Sequence, residues 1–294
     1  MVTCKECEQE NPDKHKYCFE CGASLRSDVP QREVTQEQAD KLINLSFAFE
    51  INDLVEQAIS AYSAILEGHP NYADVHYKLA NAFEAKEMAG KAISEYQHAI
   101  KLNPNYVDAH RKLGELYSDE GLYEQAIEEF KQVLSIKIKH GYADVHNNLG
   151  VAYERAGKLP QSIAAYKKAL SINPRYAKAH FNLGNAYLAK EAFDDAVAEY
   201  QASLSTYSRD PICYNNLGIA LSCQQKYQQA SAAFKQALEL DPKYARAHHN
   251  MGNVYYELSE IDKAIGEYRE ALSLDPSDTE TQELLERLTE LRTR

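Results

Sequence analysis

The sequence predicts an all-α superhelical solenoid of helix hairpins, preceded by a small cysteine-held module. Three observations predict it. Prolines recur 34 residues apart (Pro70 to Pro104, Pro242 to Pro276) or 68 apart (Pro174 to Pro242), and a period of that length marks a stacked-repeat architecture. Columns of small and aromatic residues repeat in step with those prolines. Four of the six cysteines fall within the first 21 residues, a stretch with too few apolar side chains to fold on burial alone.

At the front, Cys4-x2-Cys7 and Cys18-x2-Cys21 are two C-x-x-C pairs separated by ten residues. Each pair supplies two thiolates at the right bite, and together they can converge on one tetrahedral Zn2+. In so small a piece the metal supplies the folding energy. Residues 1–25 resemble a short zinc ribbon, through these cysteines, Cys21-Gly22 and Glu10-Asn11; the departure is Cys7-Glu8, where the family usually has glycine. The resemblance implies a closed, structural Zn2+ site on Cys4, Cys7, Cys18 and Cys21, with no open position for catalysis. Residues 26–38 read as a linker.

Seven segments follow, covering 39–72, 73–106, 107–142, 143–176, 177–210, 211–244 and 245–278. Repeat position 8 reads Ser46, Ala80, Gly114, Gly150, Gly184, Gly218 and Gly252, and position 24 reads Tyr62, Tyr96, Phe130, Tyr166, Tyr200, Phe234 and Tyr268. Small residues let two helices approach closely while the ring fills the space beside them. The Asn-Pro or Asp-Pro near position 32 ends the second helix, because the residue before proline disfavours the α region. The pattern resembles the tetratricopeptide repeat, two antiparallel helices per 34 residues.

Two departures from that family stand out. The consensus Trp at position 4 is replaced by a column containing His76, His110, His146, His180 and His248. Successive repeats place these rings too far apart to share an ion with bonds of about 2 Å, so packed, hydrogen-bonded histidines are expected. The third segment carries two extra residues and lacks its proline, which predicts that its second helix runs on or bulges. Thr35-x-x-Gln38 can form a capping box before the first helix. At the other end, residues 279–294 place Leu284, Leu285, Leu288 and Leu291 on one face, the capping helix that an open-ended array requires. Cys213 and Cys223 read as packing residues.

The resemblance also places the binding surface: the first helix of each pair lines a concave groove, into which positions 2, 5, 6 and 9 point. Position 6 holds Asn148, Asn182, Asn216 and Asn250 in four consecutive repeats, with Asn185 and Asn253 at position 9 and Lys178 and Arg246 at position 2. An amide both donates and accepts, so a row of them can pair with the backbone of an extended peptide without reading its sequence. The row resembles the asparagine ladder in the repeats of the O-linked N-acetylglucosamine transferase. In the front half, Asp74–Lys78 and Asp108–Lys112 have the i,i+4 spacing of helix-stabilising ion pairs.

Composition narrows the function. The net charge of −12, with four cations against six anions in the first 30 residues, disfavours nucleic acid and anionic membranes as partners, since phosphate binding needs a surplus of Lys and Arg. No stretch approaches the roughly 20 apolar residues of a membrane span, and no signal peptide is visible, so a cytoplasmic location is expected. No nucleophile–base pair, P-loop or dinucleotide fingerprint is present. The expected function is a non-enzymatic adaptor that binds an extended partner segment, with the ribbon as a second contact. A transcription- or nucleic-acid-associated regulator acting through the ribbon is the alternative.

Overall fold

The computed structural model describes residues 2–3, 10–11, 55–136 and 142–293, and the chain divides into two compact units, Met1–Pro104 and Asn105–Arg294. In the first unit, strand β1 (Val2–Thr3) pairs antiparallel with β2 (Glu10–Asn11), Val2 opposite Asn11 and Thr3 opposite Glu10. Helices α1 (Val55–Gly68), α2 (Ala73–Ala85) and α3 (Ala89–Leu102) follow. The four cysteines of the expected metal site, the Thr35–Gln38 box and residues 39–54 lie outside the described residues.

The second unit contains α4 (Val107–Asp119), α5 (Tyr123–Ser135), α6 (Ala143–Arg155), α7 (Leu159–Ile172), α8 (Ala177–Ala189) and α9 (Phe193–Thr206). It continues through α10 (Pro211–Cys223), α11 (Tyr227–Leu240), α12 (Ala245–Glu257), α13 (Ile261–Leu274) and α14 (Thr279–Thr293). Within this unit each helix packs on the next in sequence. Across repeat boundaries the first helices α4, α6, α8, α10 and α12 also touch in order, so they form the inner layer of this solenoid.

The aromatic column sets the hairpin. Tyr166, Tyr200 and Tyr268, like Phe130 and Phe234, are fully or almost fully buried. Each ring lies against the glycine of position 8. A Cβ on Gly114, Gly184, Gly218 or Gly252 would stand 2.5–2.8 Å from the ring of Phe130, Tyr200, Phe234 or Tyr268, and one on Gly150 would collide with Tyr166. Glycine is therefore required there by close approach, although it costs up to about 1 kcal/mol of helix propensity. Repeat 2 has Ala80 at position 8 and Tyr96 at position 24, both fully buried, and there the Tyr96 hydroxyl oxygen lies 2.6 Å from both Asn81 Oδ1 and Glu84 Oε2.

Within each pair the chain reverses through one residue in the left-handed region: Glu87, Gly121, Gly157, Glu191, Gln225 and Ser259, with φ between 57° and 75°. The backbone N–H one residue further donates to a carbonyl in the preceding helix, as from Met88 to Phe83 (2.9 Å) and from Lys226 to Leu221 (2.9 Å). This is the cap that satisfies the last carbonyls of a helix. Between repeats, the Asn or Asp before the proline accepts from the backbone two residues on: Asn173 from Arg175 (3.1 Å), Asp241 from Lys243 (3.0 Å), Asp275 from Ser277 (3.1 Å). The side chain thus builds the turn that the proline makes necessary.

Of the two outcomes expected for the third repeat, an extended helix is excluded, and a bulge falls outside the described residues. Its second helix does not run on; α5 ends at Ser135, with 13 residues where the corresponding helices have 14. Ile136 leaves the helix with φ −74° and ψ 116°, and 137–141 lie outside the described residues.

At the end of the array, Leu288 is buried and Leu284 and Leu285 pack on the same core. Asp278 caps α14, its carboxylate accepting from the Thr281 backbone N–H at 3.1 Å and from the Thr281 hydroxyl. His249 Nδ1 lies against the same hydroxyl oxygen, so the last helix is tied to α12 by a polar chain as well as by leucines. The Thr281 hydroxyl, first among the causes, holds the Asp278 carboxyl below the usual carboxylate range.

Two outcomes are expected. Gly184→Val forces its branched side chain into the Tyr200 ring and lowers stability by about 1–3 kcal/mol, read as an earlier denaturant midpoint. Because the Asp278 carboxyl titrates lower folded than unfolded, its contribution is fully present above the ordinary carboxylate range and is lost as pH falls through its lowered value. The protection factors of α14 amides, exchange corrected for the intrinsic rate at each pH, should therefore fall selectively on acidification, and Asp278→Asn should flatten that pH response.

Candidate functional site

The inner layer of the second unit carries the amides. Asn148, Asn182, Asn216 and Asn250 are half-buried, one per first helix from α6 to α12. Each reaches back to the preceding repeat. Asn148 Nδ2 donates to Glu115 Oε1 at 3.3 Å, Asn182 to Asn147 Oδ1 at 2.9 Å, Asn216 to Asn185 Oδ1 at 3.0 Å, and Asn250 to Asn215 Oδ1 at 2.9 Å. The receiving group alternates between position 9 (Glu115, Asn185) and position 5 (Asn147, Asn215).

The sequence reading missed Asn147 and Asn215 as anchors. It placed position 5 in the groove, yet in these two repeats the side chain is sealed between repeats, fully buried at Asn147 and nearly so at Asn215. Burial is tolerated because both ends are bonded: each also donates to its neighbour, Asn147 to Asn148 (3.3 Å) and Asn215 to Asn216 (3.1 Å). The signal was available in the Asn-Asn pairs at 147–148 and 215–216. The alternate repeats place a ring at position 5, Phe181 or His249, and Asn at position 9.

Asn185 and Asn253 do more than line a surface. Tyr200 donates its hydroxyl to Asn185 at 2.7 Å and Tyr268 to Asn253 at 2.6 Å, so the core ring of position 24 meets the amide through its polar tip. Asn253 Nδ2 in turn donates to His249 Nε2 at 3.0 Å. Burial pushes the Tyr268 phenol up to about 12, keeping it a hydroxyl donor at neutral pH.

Lys178 and Arg246 are exposed, as is Asp144, and Ile212 between them is 52% exposed. Position 2 therefore presents acid, base, apolar and base groups in succession, beside the amides. In the repeat before, Asp108 is held by Arg111 at 3.1 Å rather than standing as a simple pair with Lys112, which lies 3.9 Å from Glu115.

The remaining polar columns are structural. His76, His110, His180 and His248 hold Nδ1 at 2.6–2.7 Å from Glu95, Glu129, Glu199 and Glu267 on the following helix. Cys213 is buried with its thiol on the Tyr200 carbonyl at 3.7 Å, and burial pushes it up to about 12. A pocket lined by Tyr256, Tyr268, Leu284, Arg287 and Leu288 measures about 110 Å³, below the 300–1,000 Å³ typical of small-molecule sites. Among the described residues no helix is long and apolar enough to cross a membrane.

Residues 90–121, 155–191 and 223–259 match a family described as TPR repeat. Residues 108–139, 177–209 and 245–278 match families described as tetratricopeptide repeat. Together these spans exceed half of the chain. No curated protein matches it in sequence. Among solved structures, the MamA protein is 28% identical over 59% of this chain and 94% of its own, with a TM-score of 0.54. YrrB, described as a TPR protein with an unusual peptide-binding site, is 18% identical over 64% of this chain and 96% of its own, TM-score 0.55. A tetratricopeptide repeat protein from Parabacteroides merdae is 16% identical over 86% and 99%, TM-score 0.62. The last two likenesses are of fold.

The clasps predict a stability effect. Asn215→Ala removes the acceptor of Asn250 and the donor to Asn216 from a buried site, costing about 1–3 kcal/mol. Its denaturation midpoint should fall further than that of Arg246→Ala, an exposed change on the next repeat.

Proposed function

Because the chain belongs to the tetratricopeptide-repeat proteins, we propose that it is a non-enzymatic scaffold whose repeats 4–7 hold an extended segment of a partner protein. The observation that carries this reading is the residual capacity of the clasped amides. Each of Asn148, Asn182, Asn216 and Asn250 uses one of its two N–H groups on the preceding repeat. The oxygens of Asn182 and Asn250 carry no hydrogen bond among the described residues. A half-buried amide pre-oriented by such a clasp loses little side-chain entropy on binding, and it offers the donor and acceptor that a peptide backbone requires.

Lys178 and Arg246 flank the row with positive charge while Ile212 supplies an apolar foothold, which suits a segment carrying carboxylates and at least one apolar side chain. The peptide-binding site attributed to YrrB supports the class of ligand. In the same reading, Cys4, Cys7, Cys18 and Cys21 hold a structural Zn2+ in a ribbon that serves as a second protein contact, and the protein works in the cytoplasm. The acid surplus weighs against the nucleic-acid alternative.

The test is Asn182→Ala combined with Asn216→Ala, with folding verified by circular dichroism. Losing two amide contacts of about 0.5–1.5 kcal/mol each should weaken partner capture from the native cell by about tenfold. Undiminished capture by the folded double variant would refute the groove assignment. Capture that collapses with rising salt and survives only with nucleic acid present would favour the alternative.

A further inference from the structure

Every described histidine–glutamate tie uses the same two repeat positions, 4 and 23. In repeat 2 a third residue joins it. His98 stands three residues after Glu95 on α3, and residues three apart share a helix face. Its Nδ1 lies 3.9 Å from the same Glu95 Oε2 that meets His76 Nδ1 at 2.6 Å, and the two imidazole rings are tilted against each other with centroids 5.3 Å apart. One ligand atom from each of the three residues falls within 4.8 Å of the others, an arrangement found for this group alone among the described residues. The other described repeats place Gln132, Lys168, Ala202, Gln236 and Glu270 at this position, so none adds a second imidazole.

We propose that His76, Glu95 and His98 bind a divalent first-row transition metal, with Zn2+ as the fitting occupant. Two imidazoles and a carboxylate form a zinc ligand set that leaves one coordination position open. With bonds of about 2.0–2.2 Å, ligand atoms around a tetrahedral ion stand roughly 3.3 Å apart. The 2.6 Å contact has to open and the 3.9 Å contact to close, each by less than about 1 Å. His98 is the mobile partner, its side chain 54% exposed, whereas those of His76 and Glu95 are only 12% and 20% exposed.

The surroundings of His76 orient it for this role. Its Nε2 lies 3.0 Å from the Pro70 carbonyl oxygen. With Nε2 on that carbonyl, the backbone would act as the outer-shell partner that fixes the ring, leaving Nδ1, the nitrogen that faces Glu95, as the ligand atom. His180 and His248 make the same carbonyl contact, to Pro174 and Pro242, but have no third ligand. It is His98 that turns a packing device into a coordination site. Water or a donor from a bound partner would complete the tetrahedron.

The experiment compares the full-length chain with His98→Ala by equilibrium dialysis against micromolar Zn2+, counting metal per chain. His98 is exposed, so the variant is expected to fold; circular dichroism checks this. The expected result is one equivalent fewer in His98→Ala. Substituting Co2+ separates this site from the cysteines: the lost equivalent should carry d–d absorption without thiolate-to-cobalt charge transfer. A second variant, Glu95→Gln, should reproduce the loss. Equal stoichiometry in the chain and His98→Ala, or a loss confined to the thiolate band, would overturn the site while leaving the peptide groove untouched.

Discussion

The distance between the two helices of a repeat is set by a ring resting against a backbone. The aromatic of position 24 reaches across the hairpin and rests where the position 8 residue has no side chain, close enough that a Cβ would stand within 2.8 Å of the ring at five successive repeats. Once that distance is set, the remaining contacts become local. The histidine of position 4 meets the glutamate of position 23, and the left-handed turn closes the hairpin. The first helices of neighbouring repeats come close enough for an asparagine to reach from one to the next. Interiors are packed closely enough that a gap or an added carbon at such a contact is felt.

The polar side chains at the end of the array are matched to one another. A buried amide without a partner costs more than a good hydrogen bond returns, so the chain of Tyr268, Asn253, His249, Thr281 and Asp278 is tolerable only because each member bonds the next. The chain runs from the ring core of the last repeat to the cap of the final helix. It carries the end of the array with directional bonds as well as with leucines, and directional bonds fix orientation more narrowly than apolar contact does.

Much of this was legible in the sequence, because the columns that build the hairpin are defined by size. Gly or Ala at position 8 and Tyr or Phe at position 24 announce close approach without any knowledge of the neighbours. The asparagine row was equally plain. What it bonds to was not, since Asn147 and Asn215 look like groove residues until the preceding repeat is in place and seals them. The turn residue was half hidden. Gly121 and Gly157 advertise a left-handed backbone, but Glu87, Glu191, Gln225 and Ser259 adopt it too, at a cost of about 1–2 kcal/mol that side chains alone do not reveal. The insertion in the third repeat does not lengthen the helix before it: extra residues do so only if their backbone continues it, and Ile136 turns away.

The alternating clasp has a consequence for how such an array changes length. From α6 to α12 the residue that reaches back is always asparagine; only the receiving position switches, according to what the preceding repeat offers. The joint therefore accepts either kind of predecessor. Duplicating or deleting one repeat in this stretch would leave the next asparagine facing a usable acceptor, at position 5 or at position 9. The array can grow or shrink by single repeats, in steps of one helix pair, without stranding a buried amide.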